Sequence, residues 1–184
     1  PLHYRNLGGD AEILRDVNPE TGTLRTTVKV TRVAASGGMI IQDFDFDLGD
    51  AQGSIYRGKT TFGFFSPEAL AQQVGLREGG PPELALAGGF PMPREAPFPD
   101  DMLRMMDSVA HFDPAGGIIE GHKTVRPEEW FFKAHFYQDP VWPGSLGLEA
   151  LLQLFKVLAA RRWGGRAFAL NHGRHRWTYR GQVL

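Results

Sequence analysis

One long, broadly apolar helix is the sequence feature that most constrains the fold of this chain. Apolar residues recur at helical spacing after Pro143-Gly144 and stop before the glycine pair Gly164-Gly165, which is typical of a helix end. A helix over 145–163 would be about 28 Å long. Its apolar residues cover more than one stripe, so we expect other elements to enclose it. These residues are Leu148, Leu151, Leu152, Leu154, Phe155 and Leu158.

Much of the remaining chain shows the alternation of apolar and polar residues that is typical of β-strands. Three such segments of the first half, separated by short glycine-containing turns, are 23–34, 39–48 and 55–65. Consecutive strands with short turns favour an antiparallel meander. The later candidate elements are 102–111, 117–125 and 168–184. The sequence therefore predicts an α+β fold in which an antiparallel sheet, with strands from both halves of the chain, encloses the helix.

Prolines and glycines concentrate between residues 79 and 99, and this composition is typical of a linker. We therefore expect strands in 1–78, a linker in 79–99 and a helix-bearing segment in 100–184. Because the chain begins with Pro1 rather than methionine, we expect it to be a fragment of a longer protein.

The charge balance argues against polyanionic partners. Lys and Arg number 20 and Asp and Glu number 21, whereas nucleic acids and anionic membranes attract clustered positive charge. The absence of cysteine excludes disulfides, thiolate catalysis and cysteine-ligated metals, and it fits a cytoplasmic protein. No apolar run reaches the roughly 18 residues of a membrane helix. We expect no metal site, no nucleic-acid partner and no membrane partner.

A histidine and a glutamate on either side of a proline-containing turn are the candidate catalytic pair. His135 ends an aromatic, strand-like stretch, and Glu149 lies in the first turns of the predicted helix. A histidine among aromatic residues is more often a core residue, and a glutamate near a helix start is often only favourable with the helix dipole. Glu149 lies among leucines, however, where a carboxylate without a function would be costly to bury. Together the two residues favour acid–base chemistry.

The residues around this pair resemble a known family. From His135 to Glu149 the chain reads His-Phe-x-x-Asp-Pro-x-x-Pro-Gly-x-Leu-Gly-x-Glu. This string is similar to the signature of the bacterial β-hydroxyacyl-ACP dehydratases. The preceding Trp-Phe-Phe-Lys-x-His-Phe is most similar to the dehydratase domains of polyunsaturated fatty-acid synthases, and the likeness covers about 102–184. Gly37 to Ile41 and Tyr56 to Phe65 resemble the last strands of a preceding domain in the same synthases.

The resemblance implies a hotdog fold, single or tandem, in which an antiparallel sheet wraps a long central helix. It implies removal of water from a 3-hydroxyacyl thioester to give a trans-2-enoyl thioester. His135 would be the base at C2, and Glu149 would deliver the proton to the departing hydroxyl or hold the leaving water. The Gly144 N–H would bind the thioester carbonyl. The Val141 carbonyl would orient His135, and Gln153 would support Glu149.

The same resemblance implies that the substrate is carried on the phosphopantetheine of an acyl carrier protein and that the domain holds no cofactor of its own. It implies a homodimer or a pseudo-dimer of hotdogs, because in relatives the histidine of one hotdog works with the acid of its neighbour. Glu149 stands where the bacterial dehydratase/isomerase has Asp, and Trp142 stands where it has Met. These departures leave acyl chain length and double-bond isomerisation open.

Two other functions stay open. A hotdog acyl-thioesterase shares the helix and its acid but usually lacks the turn from His135 to Gly144, which is present here. A non-catalytic pseudo-hotdog would only complete a partner's dimer or dock the carrier protein. That role fits 1–78 better than 100–184, which keeps both candidate catalytic side chains.

Overall fold

A computed structural model describes residues 2–72, 89–95, 98, 101–136, 138–164 and 173–183. Contacts between residues divide the chain into two units. The first comprises Pro1–Arg77 with Leu170–Gly181, and the second comprises Glu78–Ala169 with Gln182–Leu184. Among the described residues, no helix has both the length and the apolar content needed to span a membrane.

The described elements are eight strands, two α-helices and two short 3₁₀ turns. The strands are β1 (His3–Ile13), β2 (Arg25–Ser36), β3 (Met39–Asp50), β4 (Gly53–Phe65), β5 (Phe90–Pro91), β6 (Ser108–Asp113), β7 (Ile118–His122) and β8 (Arg174–Thr178). The helices are α1 (Pro67–Ala71) and α2 (Gly144–Trp163), and the 3₁₀ turns are Asp101–Leu103 and Trp130–Lys133. The first unit is an antiparallel sheet in the order β2-β3-β4-β1-β8, and the second contains the antiparallel sheet β5-β6-β7.

The predicted meander is confirmed as β2, β3 and β4. Val28 pairs with Phe46 across β2 and β3, and the charged residues beside them in sequence point to the opposite face. The hairpin between these strands is a two-residue turn of Gly37 and Gly38, whose φ angles are 57° and 77°. Glycine adopts these angles without steric penalty, which explains why the turn forms at this position.

Strand β1 lies outside the segments that alternation predicts. Its centre contains Gly8 and Gly9, which interrupt the pattern. A Cβ at Gly8 would come within 2.7 Å of the Trp177 carbonyl oxygen, and one at Gly9 within 2.6 Å of the Lys59 carbonyl oxygen. The glycines therefore allow β4 and β8 to flank β1 closely, and this close approach is visible only in the folded chain.

The start and end of α2 agree with the helix predicted over 145–163. Gly164 adopts the left-handed conformation with a φ of 70°, and its N–H bonds to the Ala160 carbonyl. A glycine in this conformation is a common way to end a helix. Arg161 and Arg162 occupy the last turn, where positive charge is favourable with the helix dipole.

Helix α2 is covered on one side. Strand β7 packs against it. The buried core of this unit consists of Met92, Met106, Val109, Leu154 and Val157. On the opposite side, Leu148, Leu151 and Phe155 are 53%, 66% and 49% exposed. The described strands form two sheets, which differs from the single enclosing sheet that we expected. The strands of residues 25–65 pair with one another, and β3 and β4 lie between β2 and β1 in the sheet of the first unit.

The segment boundaries also differ from expectation in two places. Part of the predicted linker is structured, because Phe90–Pro91 forms β5 and the Phe90 ring packs edge-on against Phe112 at 5.6 Å. The linker residues 79–88 and the start of the last predicted strand, 168–172, lie outside the described residues. Strand β8 pairs with β1, so the helix-bearing segment 100–184 supplies one strand to the first unit. The assignment of the two halves to successive hotdogs stays a prediction.

Candidate active site

His135 follows the 3₁₀ turn Trp130–Lys133, where the sequence suggests a strand end. The Phe131 carbonyl accepts hydrogen bonds from the N–H groups of Ala134 and His135, at 3.1 and 2.9 Å. Phe131 is buried, and its ring centroid lies 4.7 Å from that of Trp142. Packing these large rings together holds the backbone in a turn rather than an extended strand. The predicted strand end is therefore wrong, and His135 is presented by a turn.

His135 and Val141 form a reciprocal pair. The Val141 N–H donates to the His135 carbonyl at 2.8 Å, and His135 Nδ1 lies 2.8 Å from the Val141 carbonyl oxygen. Backbone bonds between Phe136 and Asp139, at 3.0 and 3.2 Å, close the turn between them. Because a carbonyl oxygen only accepts, Nδ1 must carry the proton of a neutral ring. Nε2 then keeps its lone pair, which is the arrangement that a general base requires.

Glu149 lies on α2, and one of its oxygens has a hydrogen-bond donor and a nearby ammonium. The Gln153 side-chain amide donates to Glu149 Oε1 at 2.9 Å, and the Lys156 ammonium lies 3.9 Å from the same oxygen. The Glu149 side chain is 27% exposed. Within the described chain, no donor reaches Oε2.

The Gln153 amide is buried and has only one possible orientation. Its Oε1 accepts from the Met105 N–H at 3.0 Å, and its Nε2 donates to the Leu103 carbonyl at 2.8 Å as well as to Glu149. A backbone N–H only donates and a carbonyl only accepts, so these partners exclude the flipped amide. Glu149 Oε1 must therefore accept from Gln153. Any proton that Glu149 transfers must come from Oε2.

Replacing Gln153 with leucine is expected to destabilise the fold. The substitution leaves the buried Met105 N–H without an acceptor, which costs about 1–3 kcal/mol. Urea unfolding should show this loss as a lower free energy of unfolding, while Gln72→Leu at the exposed Gln72 should leave it within about 0.5 kcal/mol. A Gln153→Leu variant as stable as the wild type would contradict the buried hydrogen bonds.

Gly144 is the first residue of α2, after Pro143. The Pro143 carbonyl accepts from the N–H groups of Leu146 and Gly147, at 3.0 and 3.2 Å. The Gly144 N–H has no acceptor within the described residues. At the positive end of the helix dipole, it can donate to an oxygen on which negative charge develops.

The predicted site residues thus form two hydrogen-bonded pairs, His135 with Val141 and Glu149 with Gln153. In the described part of the chain, no hydrogen bond or ion pair joins His135 to Glu149. Sequence reasoning missed Lys156, although positions 149, 153 and 156 share one helix face and this spacing was a usable signal. No three His, Asp or Glu side chains of the described residues are grouped to hold a metal ion. The catalytic roles of these residues stay predictions.

Comparison with known proteins shows related sequences. Residues 98–184 match the family described as FabA-like domain. The chain is 30% identical over 217 residues to one of the polyunsaturated fatty acid synthase subunits of Thraustochytrium sp., and the match covers 98% of this chain and 14% of that protein. It therefore spans only a small part of this relative. The structure of full-length peroxisomal multifunctional enzyme type 2 from Drosophila melanogaster matches with a TM-score of 0.36 and 16% identity, over 87% of this chain and 26% of that one. This structural likeness is too weak to carry an argument.

Proposed function

We propose that the chain is a 3-hydroxyacyl-thioester dehydratase, because residues 98–184 match the FabA-like domain family. The family and the combination of antiparallel sheets with one long helix confirm the predicted α+β hotdog class. The proposed reaction eliminates water from a 3-hydroxyacyl thioester and leaves a trans-2-enoyl thioester.

The hydrogen bond between His135 and the Val141 carbonyl is the observation that carries this proposal. It leaves Nε2 of the neutral ring able to take the proton from C2 of the substrate. The electrons of the C2–H bond then form the C2–C3 double bond as the C3–O bond breaks. Glu149 gives the proton on Oε2 to the departing hydroxyl, which leaves as water. Proton return from His135 to Glu149 through solvent restores the starting state.

Two further groups support the charges of this reaction. Negative charge develops on the thioester carbonyl oxygen as C2 loses its proton, and the Gly144 N–H at the start of α2 donates to that oxygen. Gln153 holds Glu149 Oε1 as an acceptor, which directs the transferable proton to Oε2. The chain's own residues therefore supply the base, the acid and the donor, and the proposal needs no resident cofactor.

We place the acyl chain on the phosphopantetheine of an acyl carrier protein, in the cytoplasm. The similar protein from Thraustochytrium sp. is named as a subunit of a polyunsaturated fatty acid synthase, which supports acyl-chain synthesis as the setting. Polyketide synthesis uses the same thioester chemistry and falls within the proposal. Isomerisation of the double bond is a separate outcome, and the position of the double bond in the product measures it.

The proposed active unit contains two hotdogs, in a homodimer or a pseudo-dimer. This arrangement is supported by the absence of a direct bond between His135 and Glu149 in the described chain. Leu148 and Leu151 are exposed on α2, and a second hotdog would remove them from water.

An assay of both possible reactions tests the proposal. The chain is incubated with a 3-hydroxyacyl pantetheine thioester, and conjugated enoyl thioester is measured together with free thiol. We expect the enoyl product without thiol release, and the reverse addition of water when the trans-2-enoyl thioester is supplied. Thiol release without enoyl product would indicate a thioesterase. No reaction in either assay would favour a non-catalytic module, so both results contradict the dehydratase.

A further inference from the structure

A largely buried lysine lies beside the turn that carries His135. Lys123 directly follows β7, and its side chain is 12% exposed. Its ammonium lies 2.6 Å from Glu129 Oε1 and 3.6 Å from Asp107 Oδ1. Burying an ammonium is costly unless carboxylates pair with it, and here two carboxylates do so.

Asp107 gives Lys123 a fixed partner. Asp107 Oδ2 accepts from the Thr124 N–H at 2.8 Å, and the Arg126 guanidinium lies 3.9 Å from the same oxygen. Partial burial by itself would raise the pKa of Asp107. The Thr124 N–H and the charges of Lys123 and Arg126 outweigh that effect, so the pKa lies below its usual value. Asp107 is therefore a carboxylate at neutral pH, anchored by the backbone.

Lys123 also contacts the opposite end of the turn. Its ammonium lies 5.9 Å from the centroid of the Trp142 ring, within the range of a cation–π interaction. Glu129 directly precedes the 3₁₀ turn that leads to His135, and Trp142 directly follows Val141, which orients the His135 ring. One ammonium thus contacts both ends of the segment that carries the proposed base.

We propose that Lys123 is a positioning residue for His135, holding Glu129 and Trp142 together at the two ends of this segment. Without its charge, the Glu129 and Asp107 carboxylates repel each other, and Trp142 loses a contact on its face. The Val141 carbonyl then no longer fixes His135 Nδ1 in one place. The expected effect on the rate rests on the proposed dehydratase function, whereas the effect on the His135 hydrogen bond does not.

Kinetics of Lys123→Met provide the first test. Because a displacement of about 1 Å can lower a rate by about 10²-fold, we expect kcat to fall on the order of 10–10²-fold with KM within about twofold. Lys123→Arg keeps the charge and is expected to retain most of kcat. Arg126→Met is the matched control, because Arg126 is 56% exposed and lies near the same Asp107 carboxylate. This control should keep kcat within about twofold of the wild type.

The NMR signals of the imidazole nitrogens and protons of His135 provide the second test. They are assigned by their loss in His135→Ala. Wild type and Arg126→Met should show one neutral form with the proton on Nδ1. Lys123→Met should show a mixture of tautomers or a broadened Nδ1 proton, whether or not the chain is active in the assay.

Unchanged His135 signals in Lys123→Met would overturn the inference. An equal loss of kcat in Arg126→Met would also overturn the inference, because the loss would then follow from removing any positive charge near Asp107. If Lys123→Met does not fold, Glu129→Gln decides, because it removes the charge 2.6 Å from Lys123 and keeps the side-chain shape. Wild-type His135 signals in Glu129→Gln would then reject the role of Lys123. If the wild type does not dehydrate the substrate but the His135 signals change in Lys123→Met as expected, only the proposed function is rejected.

Discussion

Dehydration by the His135→Ala variant is expected to be about 10²–10⁴-fold slower in kcat than dehydration by the wild type. Alanine provides no group to take the C2 proton, while the fold stays supported by the rings around Phe131. Initial rates of enoyl thioester formation measure the loss, and urea unfolding checks that the variant is folded. His122→Ala is the control, because His122 is an exposed histidine at the end of β7. A His135→Ala variant within tenfold of wild type would remove His135 from the role of base.

The kcat of Glu149→Gln should also be about 10²–10⁴-fold lower than that of the wild type. The amide is nearly isosteric with the carboxyl group, and its oxygen still accepts from Gln153, but it has no acidic proton to give. Substrate binding should therefore persist while turnover is lost. Glu128→Gln, at an exposed glutamate, is the matched control. Near-normal dehydration by Glu149→Gln across the pH range would mean that another group is the acid.

Mixing these two inactive variants is expected to restore activity. If each site takes His135 from one copy and Glu149 from the other, random exchange between the variants makes half of the dimers mixed. Each mixed dimer then has one intact site and one site that lacks both groups. An equimolar mixture should therefore reach about a quarter of the wild-type rate. The rate is measured after joint unfolding and refolding, across a series of mixing ratios.

The dependence on mixing ratio makes this result specific. Activity should be greatest at equal amounts and fall towards both pure variants, and each variant refolded alone is the control. Size measurement of the refolded mixture should show a dimer. A mixture as inactive as its components, under conditions where the dimer forms, would place His135 and Glu149 of one chain in the same site and contradict the two-copy arrangement.

Elements with a strong local pattern were predictable from the sequence. The meander β2–β4 follows from alternation and from a Gly-Gly turn, and α2 follows from apolar spacing and a terminal glycine. These signals are local because each depends on backbone geometry and near neighbours. The pairing of His135 with Val141 was also accessible, because both residues lie in one short turn whose motif implied it.

Interactions between distant segments were decided only by the tertiary structure. Strand β1 pairs at Gly8 and Gly9, which have no side chains to alternate, so its neighbours alone define it as a strand. The 3₁₀ turn before His135 depends on the packing of Phe131 against Trp142.

The Met105 and Leu103 partners of Gln153 and the Asp107 partner of Lys123 come from segments that the sequence separates, and no spacing rule relates them. The sequence by itself therefore determined the meander, helix α2 and the candidate acid–base pair that we propose. Only the tertiary structure decided how those residues are held, because buried hydrogen bonds and ion pairs depend on which segments meet in space.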